Sequence, residues 1–281
     1  MDITFYMKHS HEECASAVLR ALGVFLSAVG EGALDMHTDE DGYWQTLETS
    51  ACDYLQQEIL TNRYAILHLA GSAVPENRYH FQYYGKYAST LATGRDPDAL
   101  SAVSFWLPTE YLEEQGPERI RQLAMDVSEL LPFCSGHTGL SFLCDTGVMG
   151  TLRELRALCF RYPGMDIPKL ESTSWELGSR LRGPSWMTFL GQPVLDSLGG
   201  VEHLRAQLRS PGTTVQSLGP ERAVITLGPW PEAGDLEQGL TLPAYRELAR
   251  LLEPWLFHRR PLGGNAFFPP EDWLRWERRF L

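Results

Sequence analysis

Basic residues are scarce in this chain, and one long stretch has none. The 281 residues include 24 Lys and Arg against 36 Asp and Glu, a formal net charge of -12. Eight acids and no Lys or Arg lie between Glu31 and Glu58. Nucleic-acid binders need a basic surface that displaces counterions, so the composition argues against direct nucleic-acid binding. An acidic face is usually only solvated, yet a field of this size can also steer a cationic partner.

Paired cysteines and a membrane-length apolar run are also missing. None of the five cysteines belongs to a C-x-x-C pair, so the sequence predicts neither a zinc ribbon nor a redox motif. They are typical of small core residues in a reducing compartment. The only candidate targeting segment, residues 14–29, is too short to cross a bilayer, contains Arg20 and follows an acidic start. We therefore expect a cytoplasmic protein without a membrane partner.

Motifs for catalysis and cofactor binding are absent as well. There is no phosphate-binding loop, dinucleotide fingerprint, H-E-x-x-H or G-x-S-x-G. His9-x-His11 lacks a third ligand at suitable spacing and is more typical of a strand-to-helix corner than of a metal site. Cys134 and His137 are spaced like a nucleophile and base, but no orienting acid or oxyanion hole accompanies them. We predict no catalytic residue, no metal and no cofactor.

The N-terminal region predicts a strand followed by a helix. Apolar residues alternate from Ile3 to Met7, as on one face of a strand. Ser10 and Glu13 then form a capping-box pattern. The segment to about Val29 is apolar nearly all round, which indicates a central, buried helix.

The acidic stretch itself keeps helical spacing in its second half, so we predict a helix there with its acids on the exposed side. Its apolar positions are Trp44, Leu47, Ala51, Tyr54, Leu55 and Ile59.

The remaining pattern predicts an α+β fold, with mostly antiparallel sheets flanked by helices, because hairpin-like pairs of strands alternate with single helices. Further strands begin near Tyr64, Tyr79, Ala102, Gly139, Trp186, Thr213 and Arg222, and further helices cover about 117–131, 150–162, 196–208 and 244–255. We favour a single domain over residues 1–281. The alternative is two packed α+β lobes, 1–164 and 183–281, joined by an irregular passage.

Aromatic residues cluster between Tyr79 and Tyr87. Such a cluster could stack nucleic-acid bases, but single-strand binders combine aromatics with a basic groove. Alternation places Tyr79, Phe81 and Tyr83 on one strand face. We interpret that face as core.

One ordered set of blocks resembles a known family. The blocks are YHFQYYG, SAVSFWLPTEYLEEQGPERIRQLA, LPF with GLSF, RYPGMD, FLGQPVLDSLGGVEHLR and VITLGPWPEAGD. Together they resemble the type VI secretion immunity family, the immunity partners of VRR-Nuc-type nuclease effectors. The resemblance implies a non-enzymatic cytoplasmic protein that binds a toxic effector and blocks it. Related members accompany other nuclease-class toxins, so the identity of the cognate toxin stays open.

A docking surface follows from this resemblance as a hypothesis. A nuclease holds its polyanionic substrate in a basic cleft, which an inhibitor presenting carboxylates can occupy. Tyr43 and Trp44 would supply an aromatic anchor, although Trp44 fits the apolar helix face equally well, and we expect it to be buried in the core. The predicted toxin-binding residues are Glu31, Asp35, Asp39, Glu40, Asp41, Tyr43, Trp44 and Glu48.

Two other function classes fit the sequence. One is an adaptor or chaperone that delivers an effector without neutralising it, and the other is a small cytoplasmic hydrolase without a recognisable motif. A neighbouring effector gene would favour an immunity protein over a metabolic enzyme. Rescue of cells from the toxin would favour an immunity protein over an adaptor. The sequence leaves the oligomeric state open, as well as the choice between active-site occlusion and binding beside the active site.

Overall fold

The structure is a computed structural model that describes residues 1–72, 79–92, 96–143, 151–167, 169–258 and 269–281. Within it the chain forms two compact units. The first contains residues 1–136 and 169–179, and the second contains residues 137–168 and 180–281. Both units combine antiparallel strand pairs with helices, which confirms the predicted α+β class.

The first unit is built on an antiparallel sheet. Its strands are β1 (Asp2–Met7), β2 (Met36–Thr38), β3 (Trp44–Thr46), β4 (Ala65–Ala70), β5 (His80–Gly85) and β6 (Ser101–Trp106). They pair in the order β1-β6-β5-β4-β2-β3. The helices of this unit are α1 (His11–Val29), α2 (Ala51–Thr61), α3 (Ala88–Ala92), α4 (Thr109–Leu130) and α6 (Leu170–Glu176). The predicted strands near Ile3, Tyr64, Tyr79 and Ala102 are therefore confirmed.

Aromatic rings join this sheet to α1. Phe105 of β6 lies 5.3 Å from Phe25 of α1 and 5.4 Å from Phe81 of β5, measured between ring centroids. These three rings and Tyr83 are fully buried. Edge-to-face and tilted ring pairs add to the free energy gained from burying apolar area. The interpretation of the aromatic face of β5 as core is confirmed.

The start of α1 is closed by the predicted capping box. The backbone N–H of Ser10 donates to the Glu13 carboxylate over 2.7 Å, and the Ser10 side chain receives the N–H of Glu13. His11, the first helical residue, is buried, and its Nε2 lies 2.8 Å from the Ile59 carbonyl. A carbonyl only accepts, so Nε2 carries the proton and Nδ1 accepts from the Tyr83 hydroxyl at 2.9 Å. One ring nitrogen thus joins α1 to α2, and the other joins it to β5.

Acidification is expected to destabilise the first unit through His11. Burial lowers the pKa of His11 from its ordinary 6.5, because the apolar surroundings disfavour the imidazolium. Its contribution to the free energy of unfolding is full above pH 6.5 and is lost as the pH falls through the folded-state pKa. Urea unfolding at pH 7.5 and 5.0 should show a smaller pH effect in His11→Gln than in the wild type. Equal pH effects in the two proteins would contradict this role.

The second unit contains a further set of paired strands. They are β7 (Ser135–Ser141, the first two residues belonging to the first unit), β8 (Met165–Asp166), β9 (Met187–Leu190), β10 (Thr213–Ser217) and β11 (Ala223–Leu227). Their order is β10-β11-β9-β7, and β8 runs parallel to β7. The helices of this unit are α5 (Thr151–Arg161), α7 (Val194–Ser197), α8 (Gly200–Gln207), α9 (Pro243–Leu252) and α10 (Pro270–Glu277). Buried residues of β9, β11, α8 and α9 form its main core.

Some predicted boundaries were wrong. Helix α1 is not buried all round, since Ser16, Arg20 and Ser27 are exposed. The helix predicted from Pro117 is confirmed as the second part of α4, because the non-helical Gly116 (φ 78°) separates it from a helical segment that begins at Thr109. The helix predicted over 196–208 is interrupted between α7 and α8 by Gly199, which has φ 79°. Positive φ is a conformation that glycine adopts without a Cβ clash. Cys144, which continues the alternating pattern of the strand predicted from Gly139, lies outside the described residues.

Candidate functional site

The stretch from Asp35 to Leu47 forms a β-hairpin at the end of the strand order, which we call the acidic hairpin. The Leu47 N–H donates to the Asp35 carbonyl over 2.8 Å at its open end. The Asp39 N–H donates to the Tyr43 carbonyl over 2.9 Å next to the turn. The helix predicted from Trp44 is therefore wrong up to Ser50, and α2 begins only at Ala51.

The turn of the hairpin is organised by Asp39. Its carboxylate accepts the backbone N–H groups of Asp41 (3.1 Å) and Tyr43 (2.8 Å) and the side-chain amide of Gln45 (2.8 Å). The Gln45 amide and then the Tyr43 N–H lower the pKa of Asp39 below its ordinary 3.8, because they stabilise the carboxylate. Gly42 closes the turn with φ 84°. Asp39 thus shapes the loop on which its neighbours are displayed.

Four side chains of this loop point to solvent. Glu40 and Asp41 are exposed at its tip. Tyr43 is 69% exposed and Trp44 is 42% exposed, although they are large aromatics. The expectation that Trp44 is buried in the core is wrong, because it lies on a short edge strand and not on a helix. The tip therefore combines two carboxylates with two accessible rings.

The other predicted docking residues differ in their exposure and in whether their carboxylates accept hydrogen bonds. Glu31, in a 3-10 turn, and Glu48, after β3, are both exposed. The Asp35 carboxylate is engaged, since it accepts the backbone N–H of Ser72 at 2.6 Å and also the Ser72 hydroxyl. Asp35 and Asp39 hold the hairpin in place. Glu40 and Asp41 of the hairpin, and Glu31 and Glu48 that flank it in sequence, are the exposed carboxylates offered to a partner.

Comparison with known families decides what kind of protein carries this hairpin. The family model TsiV, described as type VI immunity for VRR-NUC, matches residues 17–280. The chain belongs to this family. It is therefore a type VI immunity protein, as the resemblance of its sequence blocks implied.

The fold of this immunity protein is shared with a solved structure. A T6SS protein of Pseudomonas aeruginosa matches with a TM-score of 0.79 at 20% sequence identity. The match covers 99% of this chain and 83% of that one. At this identity the likeness concerns the fold. No curated protein matches the chain.

Sequence reasoning missed exposed apolar side chains on the same unit. Ile66 of β4 is 60% exposed, and the rings of Tyr64 and Tyr87, both exposed, lie 4.7 Å apart. The pairing of β3, β2 and β4 places Ile66 on the same sheet face as Trp44. An apolar strand residue is normally assigned to the core, so only the three-dimensional pairing identifies Ile66 as surface. The immunity protein thus has apolar surface near its acidic hairpin.

The second unit of the immunity protein contains a charged cluster around Asp166. Arg182 donates to both Asp166 oxygens at 3.0 and 2.9 Å, and Arg279 lies 3.7 Å away. Burial would raise the pKa of Asp166, but the two guanidinium groups outweigh it and hold the pKa below the ordinary 3.8. Burial lowers the pKa of Arg279 to about 10, so it stays charged at neutral pH. A carboxylate that is neutralised by two guanidinium groups is better suited to a structural role than to proton transfer.

Reactive groups named in the sequence are also engaged in packing. Burial raises the pKa of Cys134, so its thiol stays protonated, and it donates to the Tyr6 carbonyl over 3.3 Å. Over the described ranges, no three His, Cys, Asp or Glu side chains are grouped to hold a metal ion. Nor does any helix within those ranges have the length and apolar character needed to cross a membrane.

Proposed function

We propose that this immunity protein neutralises a VRR-NUC effector by direct binding, with its acidic hairpin covering the basic surface on which the nuclease holds nucleic acid. Family membership names the class of effector. The observation that carries the proposal is the exposed tip formed by Glu40, Asp41, Tyr43 and Trp44, within a stretch that has no Lys or Arg. Carboxylates presented in this way compete with phosphates for the basic side chains of the nuclease.

Charge and aromatic surface have separate roles in this proposal. Exposed carboxylates gain little net free energy from single ion pairs in water, but they accelerate encounter with a cationic surface. Aromatic side chains supply most of the affinity when they are desolvated at the centre of an interface. We assign association to Glu40 and Asp41, and retention of the complex to Tyr43 and Trp44. Inhibition is stoichiometric, and no catalytic step is involved.

Coexpression with the VRR-NUC effector of the same type VI cluster tests this function. We expect the immunity protein to restore growth, to copurify with the effector at a fixed ratio and to abolish its nuclease activity. Nuclease activity should titrate linearly with added immunity protein and end at that ratio. A copurified effector that remains an active nuclease would overturn the proposal and favour an adaptor. Inhibition far below the stoichiometric ratio would favour an enzyme.

Removal of the aromatic rings is expected to weaken the complex without unfolding the protein. Tyr43→Ala and Trp44→Ala should each raise Kd by about 30-fold, since a hot-spot ring contributes about 2 kcal/mol. Calorimetric titration with a catalytically inactive effector measures this. Trp230→Ala is the matched control, because Trp230 is 43% exposed but lies in the second unit. A similar loss in the control, or unchanged Kd in both tip variants, would contradict the anchor role.

A further inference from the structure

The outer side of β3 carries backbone hydrogen-bonding groups that pair with no strand in the part of the chain that the structure describes. Tyr43 and Leu47 direct backbone groups towards the other arm of the hairpin. In an antiparallel pair the direction alternates residue by residue, so Gln45 also faces that arm while Trp44 and Thr46 face away. No strand within the described ranges pairs with that side, since β3 ends the strand order. Two N–H and two C=O groups are therefore directed outward.

This edge has few of the features that prevent strands from pairing. Proteins protect edge strands by keeping them very short, or with lysine, proline, bulges or inward-facing charges, and β3 is short at three residues. The three residues of β3 carry no charge and include no proline. All three are exposed, so a second strand could approach without displacing side chains from a core. What distinguishes the edge is the charge at its two ends: Asp41 lies in the turn before the strand, and Glu48 follows the strand.

These charges select between possible occupants. A second copy pairing edge to edge in antiparallel orientation would bring the carboxylates of one turn next to Glu48 of the other chain, and like charges across a strand pair are unfavourable. An extended segment with Lys or Arg on either side of its pairing residues would meet opposite charges instead. Basic residues of this kind are expected on a nuclease, whose substrate is polyanionic.

We propose that β3 pairs with an extended, Lys- or Arg-bearing segment of the effector, which adds a strand to the sheet of the first unit. This inference rests on the proposed function and specifies how the acidic hairpin holds its partner. Main-chain hydrogen bonds to Trp44 and Thr46 supply register, as in other complexes formed by strand addition. The Trp44 ring packs on the added strand, and the carboxylates at both ends pair with its basic residues.

The sharpest test removes one outward N–H. Thr46→Pro eliminates the donor that faces the effector and leaves the bonds of Gln45 and Leu47 within the hairpin, because proline is tolerated where an edge N–H faces solvent. Thr46→Ala is the matched control, since it loses the same hydroxyl but keeps the N–H. With catalytically inactive VRR-NUC effector as the probe, we expect Kd to rise at least 10-fold in Thr46→Pro and less than 2-fold in Thr46→Ala. Equal affinities of the two variants would overturn the inference.

Hydrogen exchange provides a second test on the unmodified protein. The amides of Trp44 and Thr46 should become protected, by at least 10-fold in exchange rate, when the effector is bound. Unchanged exchange at both amides would overturn the inference even if Thr46→Pro fails to fold. A dimer of the free protein that is abolished by Thr46→Pro would also overturn it, because the occupant would then be a second copy.

The outcome also separates this inference from the proposed function. If the turn carboxylates and aromatic rings matter for binding but the two Thr46 variants bind alike, the acidic hairpin remains the docking site and strand addition is wrong. If neither kind of change affects binding to an effector that is still inhibited, the proposed site itself is wrong.

Discussion

Association with the effector should slow by about 100-fold at low salt when Glu40 and Asp41 are both changed to Lys. Steering by complementary charge changes association rates by about 10- to 1,000-fold and is screened as ionic strength rises. Both side chains are exposed, so their reversal leaves the core untouched. Stopped-flow or surface-binding kinetics at 20 and 300 mM salt should show a large rate difference at the lower concentration and a small one at the higher. Protection of cells should weaken in parallel.

The design of this experiment follows from the geometry of the turn. Asp39 is left unchanged, because its carboxylate holds the backbone of the loop and its replacement would alter shape as well as charge. Glu113→Lys with Glu114→Lys is the matched control, since both residues are exposed on α4 and the change in net charge is the same. If the control slows association as much, the effect comes from overall charge, and the acidic hairpin has no special role. Unchanged kinetics in the hairpin variant would exclude steering by its tip.

The second unit should lose about 3–5 kcal/mol of stability in Asp166→Asn, the cost of breaking a buried ion pair on one side. The Asp166 and Arg182 side chains are only 18% and 10% exposed. Without the carboxylate, Arg182 and Arg279 lose the buried anion that both of them contact. Arg279 also donates to the Pro163 carbonyl over 2.7 Å and stacks on Trp276 at 3.8 Å. Urea unfolding monitored in this unit measures the loss.

An exposed pair in the same unit provides the comparison. Arg205 and Glu202 are 2.6 Å apart on α8, with side chains 46% and 84% exposed, so Glu202→Gln should cost less than about 1 kcal/mol of stability.

The contribution of Asp166 to stability depends on pH with a definite sign. Because the pKa of Asp166 is lowered from 3.8, its stabilising contribution is present above that pH and is lost on further acidification. Equal costs for the two substitutions would show that the Asp166 cluster is not a buried network.

Local patterns predicted much of the fold because hydrophobic period and capping act over a few residues. The capping box at Ser10 and the strands of the first sheet illustrate this. The same patterns failed at the acidic hairpin, where apolar residues from Trp44 onward happen to follow helical spacing. The pair Asp41-Gly42 is typical of a hairpin turn, and the helical spacing takes no account of it. On α1, the apolar residues Leu19 and Val24 are only partly buried, and counting them as core made the helix seem buried all round.

The sequence predicted which charged residues the candidate site contains, but not how they are arranged in three dimensions. Counting charges identified the stretch without Lys or Arg. Counting cannot show that Asp35 and Asp39 are engaged in hydrogen bonds whereas Glu40 and Asp41 are exposed, because this depends on the turn and on a contact with Ser72. Nor can it show an open strand edge, which depends on the order of strands that are distant in sequence. The features of the site that local sequence patterns did not predict therefore depend on pairing between strands that are distant in sequence.

The first unit is discontinuous along the chain, and this affects how it is made in the cell. Residues 169–179 return to it after part of the second unit has been synthesised, and the Leu100 N–H donates to the Ser174 carbonyl over 2.7 Å. At about 5–20 residues per second, that segment leaves the ribosome roughly 2–9 s after residue 136. Through that interval the nascent sheet lacks the packing of α6, including Trp175 against Lys86. The first unit can therefore complete its folding only after part of the second unit has been synthesised. A fragment ending at residue 136 would be an incomplete unit.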